Sequence, residues 1–343
     1  MVEKYGFFRH YYVAFVITAV VVLLSVVFSG LSALLPIIAL TLIEITFSFE
    51  NAVLNSQVLS TMSRIWRMVF LTVGIAVAVF GVRLILPLVM VSSTTGLPLG
   101  HVLQLALHQP DQYAEELHSA YPVIAAFGGI FLLMIGLRFF GEKKDVLWLH
   151  KLESPLAIFN QPWWVSLCGA VGGVLAIQLF LARGDARVIW AGILGGVTFL
   201  IIKLFSEMLL KQQAKQQKSA RHQLFTQGLI QLLYLELLDA SFSFDGVIAA
   251  FAITKDVLLI AAGLGIGAMY VRSMTVHLLA SGTLGHYRYL IHGAHYAILS
   301  LSVLLLLSIR LEIPEAITGL LGLVIIVFSF ESSRRYNQSL TTV

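Results

Sequence analysis

The chain has 343 residues, of which 58% are hydrophobic and 12% charged, and a formal net charge of +4. Its mean hydropathy is +0.90. A water-soluble domain of that balance could not cover its own apolar surface, so the composition places the chain among integral membrane proteins. The lone cysteine, Cys168, excludes an internal disulfide and a thiolate metal cluster.

Ten apolar segments follow one another, at about 12–29, 32–60, 68–91, 121–138, 163–181, 188–206, 224–253, 257–280, 290–309 and 313–330. At about 20 residues per span they leave no room for a sizeable soluble domain. The expected fold is all-α, a polytopic bundle of about ten spans. Lys4 and Arg9 precede the first segment, as in a signal peptide, but no small-residue cleavage site follows. It reads as a retained anchor.

Lysine and arginine set the orientation. With the N-terminus inside, the inside segments hold fifteen of them, and the outside segments hold Arg183, Arg187, Lys255 and Arg310. Both termini are then expected in the cytoplasm, with the chain in a bacterial inner membrane. "QPWW" at 161–164 reads as an aromatic belt at the inner interface. "KQQAKQQKSAR" at 211–221 reads as a solvated linker; nucleic-acid binding is not expected of a run this short. The linker separates a first half, residues 1–210, from a second half, residues 222–343, of one membrane domain.

The second and seventh segments share an unusual wrapping. Residues 44–51 read "EITFSFEN" and residues 239–246 read "DASFSFDG". Each has two acids six residues apart around the tripeptide FSF. The following spans also correspond, with Val82-Arg83 deep in the third and Val271-Arg272 equally deep in the eighth. The second span runs out to in and the seventh in to out. The halves therefore read as an inverted repeat of five plus five spans, a frequent transporter plan with its site at the midplane.

A charge at the bilayer centre costs roughly 2.5–3.5 kcal/mol on insertion scales. Glu44, Glu50, Asp239 and Asp245 must therefore face the interior, pair, take protons or hold a cation. Residues six apart on a regular helix point about 120° apart. Either the helix unwinds locally, or each acid meets partners from the other half. Thr46, Ser48, Ser241 and Ser243 favour some unwinding by bonding freed backbone groups, and Gly246 helps further. Carboxylates, hydroxyls and the Asn51 amide form an all-oxygen donor set suited to magnesium, calcium or manganese. Four acids with Arg83 and Arg272 leave a charge of −2, which one divalent cation or two protons would neutralise. That count suggests exchange of a divalent cation for protons. The alternative is static buried ion pairs that fix helix packing.

Arg83 and Arg272 are candidate counter-ions to the acids, or they snorkel to the surfaces. Glu236 has Thr41 as its counterpart and reads as an extra proton carrier or an interfacial residue. His292 and His295 lie three apart on one helical face, as a proton relay, as ligands of a softer metal or as packed histidines. His101, His108 and His118 share an outer loop, 92–118, with Asp111, Glu115 and Glu116, which could collect cations but reads better as solvated. No phosphate-binding loop, serine triad or zinc-protease motif is present, and an enzyme is not expected.

The repeated pattern of an acid, a Phe-Ser pair and an acid followed by Asn or Gly resembles the motif of the TerC integral membrane family. "FGGIFLLMIGLRFF" (127–140), "WLHKLESPL" (148–156) and "HGAHYAI" (292–298) resemble a longer branch of it, long described as a domain of unknown function. The resemblance covers about residues 30–335, and the wider superfamily includes the LysE exporters. It implies export of a divalent metal, notably manganese. It also implies Glu44, Glu50 and Asn51 as first-repeat ligands, and Asp239 and Asp245 as second-repeat ligands. Glu50 stands where Asp is usual and Gly246 where the first repeat has Asn51, so a symmetric coordination sphere is not expected. The expected function is manganese efflux by alternating access with proton coupling, with the transported ion and the bilayer as partners and no tightly bound cofactor. The alternatives are an exporter of an amino-acid-like organic solute, or a membrane component of a tellurite or metal stress-resistance complex.

Overall fold

In lipid a spanning segment must satisfy its own backbone, which long apolar runs do by coiling into helices. The computed structural model describes residues 2–142, 144–157, 162–182, 184–215, 220–311 and 313–341. It contains α-helices, 3-10 and π segments and, among the described residues, no strand. After α1 (Val2–Ser29) come α2 (Leu34–Phe47) and α3 (Phe49–Thr61). A continuous helix over 64–95 contains α4 (Arg64–Val69), π-helical stretches at Phe70–Gly74 and Val77–Ile85, and α5 (Leu86–Thr95). Then follow α6 (Leu99–His108), α7 (Pro110–Gly141), α8 (His150–Ala157), α9 (Pro162–Ala176) and α10 (Ala186–Lys215). The chain ends with α11 (Ala220–Ile253), α12 (Val257–Ala280), α13 (Thr283–His286), α14 (Leu290–Ser308) and α15 (Glu315–Thr341).

Each of the ten apolar segments lies on helix, while length and apolarity do not confirm the expected count of ten spans. Among the described residues, seven helices are long and apolar enough to cross a membrane, and the bent pair α2–α3 makes eight. α9 is too short by itself, at 15 residues. α11 carries Glu236, Asp239 and Asp245 within its apolar half and is not among the seven. Large apolar side chains such as Phe28, Leu35, Phe80 and Phe180 point outward, as expected where the solvent is hydrocarbon. The chain thus has the character of an integral membrane protein.

α7 is the central post and packs against α9, α10, α11 and α14. Its buried Ile130, Phe131, Leu132 and Met134 lie in the main apolar core. Residues 92–118, read as a loop from sequence, are mostly helix. Pro110 opens α7, where its missing N–H costs nothing, and Val102, Leu105 and Ala106 of α6 are buried with Tyr113 and Leu117. Side-chain bonds mark the two ends of the bundle. At one end Gln231 donates to Thr61 (3.0 Å) and Asn337 to the His286 carbonyl (2.9 Å). At the other, Lys255 pairs with Asp111, and Arg310 donates to the Phe180 carbonyl (2.8 Å). The side chains of Lys4, Arg9, Lys211, Lys215, Lys218 and Arg221 lie outside the described residues, as do Lys143, Arg183 and most of "QPWW".

α12 packs closely on α2 because Gly267 has no side chain. A Cβ there would sit 2.4 Å from the Glu44 Cβ and 3.1 Å from the Thr41 carbonyl oxygen. Overpacking of this kind costs about 1–3 kcal/mol. Gly267→Val is therefore expected to lower the thermal midpoint of the detergent-purified protein and broaden its elution profile. A wild-type midpoint would show that α2 and α12 are not in this contact.

Candidate functional site

The site begins at a bend. α2 and α3 meet at Ser48 with a 55° change of direction, and Ser48 itself leaves helical geometry at φ −109°, ψ 20°. Its hydroxyl donates to Glu44 Oε1 (3.0 Å), so the residue at the break also anchors the acid one turn before it. Discontinuous helices of this kind supply ion sites in transporters. The second copy behaves differently. α11 runs unbroken through 239–246, and the unwinding that its serines and Gly246 were read to favour is not seen there. Ser241 instead donates to the Leu237 carbonyl (2.9 Å) within its own helix. Gly246 faces Glu44: a Cβ there would stand 3.4 Å from Glu44 Oε2, in ordinary contact.

Around the bend the structure gathers Glu44, Arg83 and Asp239. All three are buried. Arg83 Nη2 donates to Glu44 Oε1, and its Nη1 lies 3.6 Å from Asp239 Oδ2. That second distance is an ion pair beyond hydrogen-bond range. Nη1 also donates to the carbonyl of Ala78 in its own π-helical stretch (2.9 Å). Asn51 Nδ2 donates to Asp239 Oδ1 (2.6 Å). Arg83 is thus a counter-ion shared by both halves of the chain, and it does not snorkel. π-helical stretches recur at functional positions because they re-aim side chains, and Arg83 sits in one.

Glu50 lies at the start of α3, 3% exposed. It shares with Glu44 a cavity of about 30 Å³, also lined by Ser48, Phe242, Gly246 and Gly319. A space of that size holds about one or two waters or a single ion. Glu50 Oε2, Asn51 Oδ1, Asn55 Oδ1, Asp239 Oδ2 and Ser243 Oγ are buried and accept no hydrogen bond among the described residues. Asn55 follows Asn51 by one turn, and Ser243 follows Asp239 by one turn, so these orphan oxygens continue along the two facing helices. Buried acceptors without donors cost free energy, and a cation or protons would satisfy them. Asn55 was legible in principle, as the i+4 neighbour of Asn51. The Asp245 side chain lies outside the described residues. Among those residues, no group of three or more His, Cys, Asp or Glu side chains converges as a ready-made metal site.

The remaining candidates are placed elsewhere. Thr46 is half-buried and bonds back to the Leu42 carbonyl (2.7 Å), outside the network. Glu236 pairs with Arg272 (3.2 Å). Arg272 also donates to the Phe70 carbonyl (2.9 Å) and lies 4.1 Å over the Phe70 ring. Gly74 makes room for this pair: a Cβ there would come within 2.6 Å of Glu236 Oε1. Glu236 is thus the partner of Arg272, which removes both from the charge count at the bend. Among the described side chains, Glu44, Glu50 and Asp239, when ionised, carry −3 against the +1 of Arg83, a deficit of two positive charges.

His292 and His295 belong to a cluster at the end where α7 closes and α14 begins. His292 Nε2 lies 2.9 Å from the Val146 carbonyl and 3.5 Å from Glu153, and the His295 ring stacks on Phe139 at 3.6 Å. Glu153, buried and overlooked in the sequence, accepts the backbone N–H groups of Trp148 (3.3 Å) and Leu149 (3.2 Å) and so ties α8 to this corner. Lys144 stands 3.4 Å over the Phe139 ring, and burial pulls its ammonium down to about 8 against the opposing charges of Glu153 and Glu142. Beside this corner opens a cavity of about 310 Å³ lined by Gln57, Thr61, Arg138, Lys203, Gln231, Tyr234 and His295 among others. His101, His108 and His118 form no metal group with their acids; Asp111 is spent on Lys255.

A protein-family model described as a protein of unknown function, DUF475, matches residues 49–340. The chain belongs to the DUF475 family. This corrects the resemblance drawn from sequence: the matching family is DUF475, and nothing shows membership of the TerC or the LysE/TerC group. A short acid-and-serine pattern in apolar surroundings recurs wherever polar groups are built into membrane helices, and it misled here. No curated protein and no solved structure matches the chain. The DUF475 match begins at Phe49, so it includes Glu50, Asn51 and Asp239 while Glu44 lies just before it.

Removing one member of a buried ion pair strands the other, at about 3–5 kcal/mol. Arg272→Met should therefore sharply lower the thermal midpoint, and Arg272→Met with Glu236→Leu should recover most of the loss. A double variant no better than the single one would show that the two charges are not coupled.

Proposed function

We propose that this DUF475 protein carries a divalent cation across the membrane, with the cargo held at the α2–α3 break. The observation that carries the reading is the cavity of about 30 Å³ at the bend, walled by the buried Glu44 and Glu50. The adjacent orphan oxygens and the deficit of two positive charges support it. The donors are all oxygen, which suits a hard cation such as Mg²⁺, Ca²⁺ or Mn²⁺. The narrowing to manganese rested on the family resemblance and is dropped with it. The small volume supports an ion over an amino-acid-like solute, whose atoms would need a pocket several times larger.

Alternating access would rock the first half against the second about this site. The inverted five-plus-five repeat and the ten-span count belong to this reading. So does the orientation, in which the end rich in Lys and Arg faces the cytoplasm of a bacterial inner membrane. Protons are the natural counter-cargo, because two of them restore the same charge as one divalent ion. The cavity of about 310 Å³ at the end bearing Thr61 and Gln231 would then be the aqueous entry on that side.

The test is uptake of Mg²⁺, Ca²⁺ and Mn²⁺ into proteoliposomes with a controlled pH gradient. Glu50→Gln should abolish uptake while leaving expression and elution profile unchanged. Wild-type uptake by that variant would overturn the assignment of the site, and uptake indifferent to the pH gradient would remove the proton exchange.

A further inference from the structure

The acids at the bend carry the chemistry of a cation site, yet they do not converge as one among the described residues. The reason is visible in the geometry. A guanidinium already lies between them. Glu44 Oε1 accepts from Arg83 Nη2 and from Ser48 Oγ, and Asp239 faces Arg83 Nη1. A divalent ion bound by both carboxylates would compete with Arg83 for their charge.

Arg83 differs from its counterpart in having hydrogen-bonding capacity left over. Its Nε is buried and has no acceptor among the described residues, and its contact with Asp239 is 3.6 Å, too long for a hydrogen bond. Its Nη1 already donates to the Ala78 carbonyl, a bond independent of either acid. Arg272, by contrast, is fixed by a carboxylate, a backbone carbonyl and an aromatic face together. The cavity meets Glu44 on the side of Oε2, near Gly246, while Arg83 engages Oε1. An ion arriving in the cavity therefore reaches Glu44 from the free side.

We propose that the Arg83 guanidinium is a tethered substitute for the cargo, occupying Glu44 and Asp239 until a divalent cation displaces it and returning to expel that cation. This rests on the transport reading above and assigns the regulation of the same site. It gives the pair a job that a static bridge lacks. Glu44 and Asp239 then keep a counter-charge whether or not cargo is bound, and the ion is released against a competitor of fixed, high local concentration.

Two measurements test it. The first is binding of Mn²⁺ alone to the purified protein in nanodiscs by titration calorimetry. Arg83→Gln should bind about tenfold tighter or more and yet transport more slowly, because the competitor that aids release is gone. The second uses the unaltered protein. Infrared difference spectra with isotope-labelled arginine should show a guanidinium band shifting when Mn²⁺ is added, and that band should be lost in Arg83→Lys. Unchanged or weaker binding by a folded Arg83→Gln would overturn the proposal. So would a wild type that binds Mn²⁺ with no arginine signal, whether or not the glutamine variant folds. A wild type that binds none of Mn²⁺, Mg²⁺ or Ca²⁺ would instead overturn the transport reading, and this proposal with it.

Discussion

Arg83 joins Glu44 of α2 to Asp239 of α11, and so ties the two halves of the chain together through charge. In a medium with few competing dipoles, an unpaired carboxylate or guanidinium is costly to keep ionised. The network therefore fixes which faces of α2, α11 and the π-helical stretch must meet. Ser48 and Asn51 complete it with neutral donors. Such pairs contribute little net stability compared with apolar packing. What they add is a penalty for every arrangement in which the charges separate, and that penalty selects one register of helices from many that are equally greasy.

Backbone shape and small residues make the meeting possible. The bend at Ser48 turns Glu44 and Glu50 toward a common cavity, although a straight helix would point them about 120° apart. Gly267 lets α12 press on the back of Glu44, and Gly74 opens the space that Glu236 and Arg272 fill. The two copies of the motif reach their places by different means. The first breaks its helix, and the second stays straight and offers Asp239 sideways. The site is consequently asymmetric: one arginine is shared between both copies, and the other is pinned to Glu236 and Phe70.

Several features were readable before any coordinates. Apolar runs interrupted by short polar loops demanded helices, and each run lies on helix. The duplicated acids in "EITFSFEN" and "DASFSFDG" pointed to buried polar chemistry, and Glu44, Glu50, Asn51 and Asp239 do share one region. Other features escaped. Thr46 looked like part of the same polar shell as Ser48, but two residues on a helix face opposite ways, and Thr46 points outward. Glu236 looked like a proton carrier because its partner, Arg272, is 36 residues away in sequence and one helix away in space. Glu153 drew no notice in the sequence, yet it is buried and faces His292 of α14 at 3.5 Å. The residues 92–118 looked like a solvated loop because their histidines and acids masked the spaced Val102, Leu105 and Ala106.

By itself the sequence determined the solvent and the kind of chain. Hydropathy is additive, so composition and segment length decide that these residues fold as helices in lipid, and the energetic cost of each acid decides that it must be hidden or neutralised. Which group neutralises which acid is a different matter. Pairing depends on angles and distances between helices far apart in the chain, set by a bend at one serine and by close approaches at two glycines. Only the tertiary structure decided that Arg83 stands between Glu44 and Asp239, that Arg272 belongs to Glu236, and that Glu50 keeps a buried oxygen without a donor.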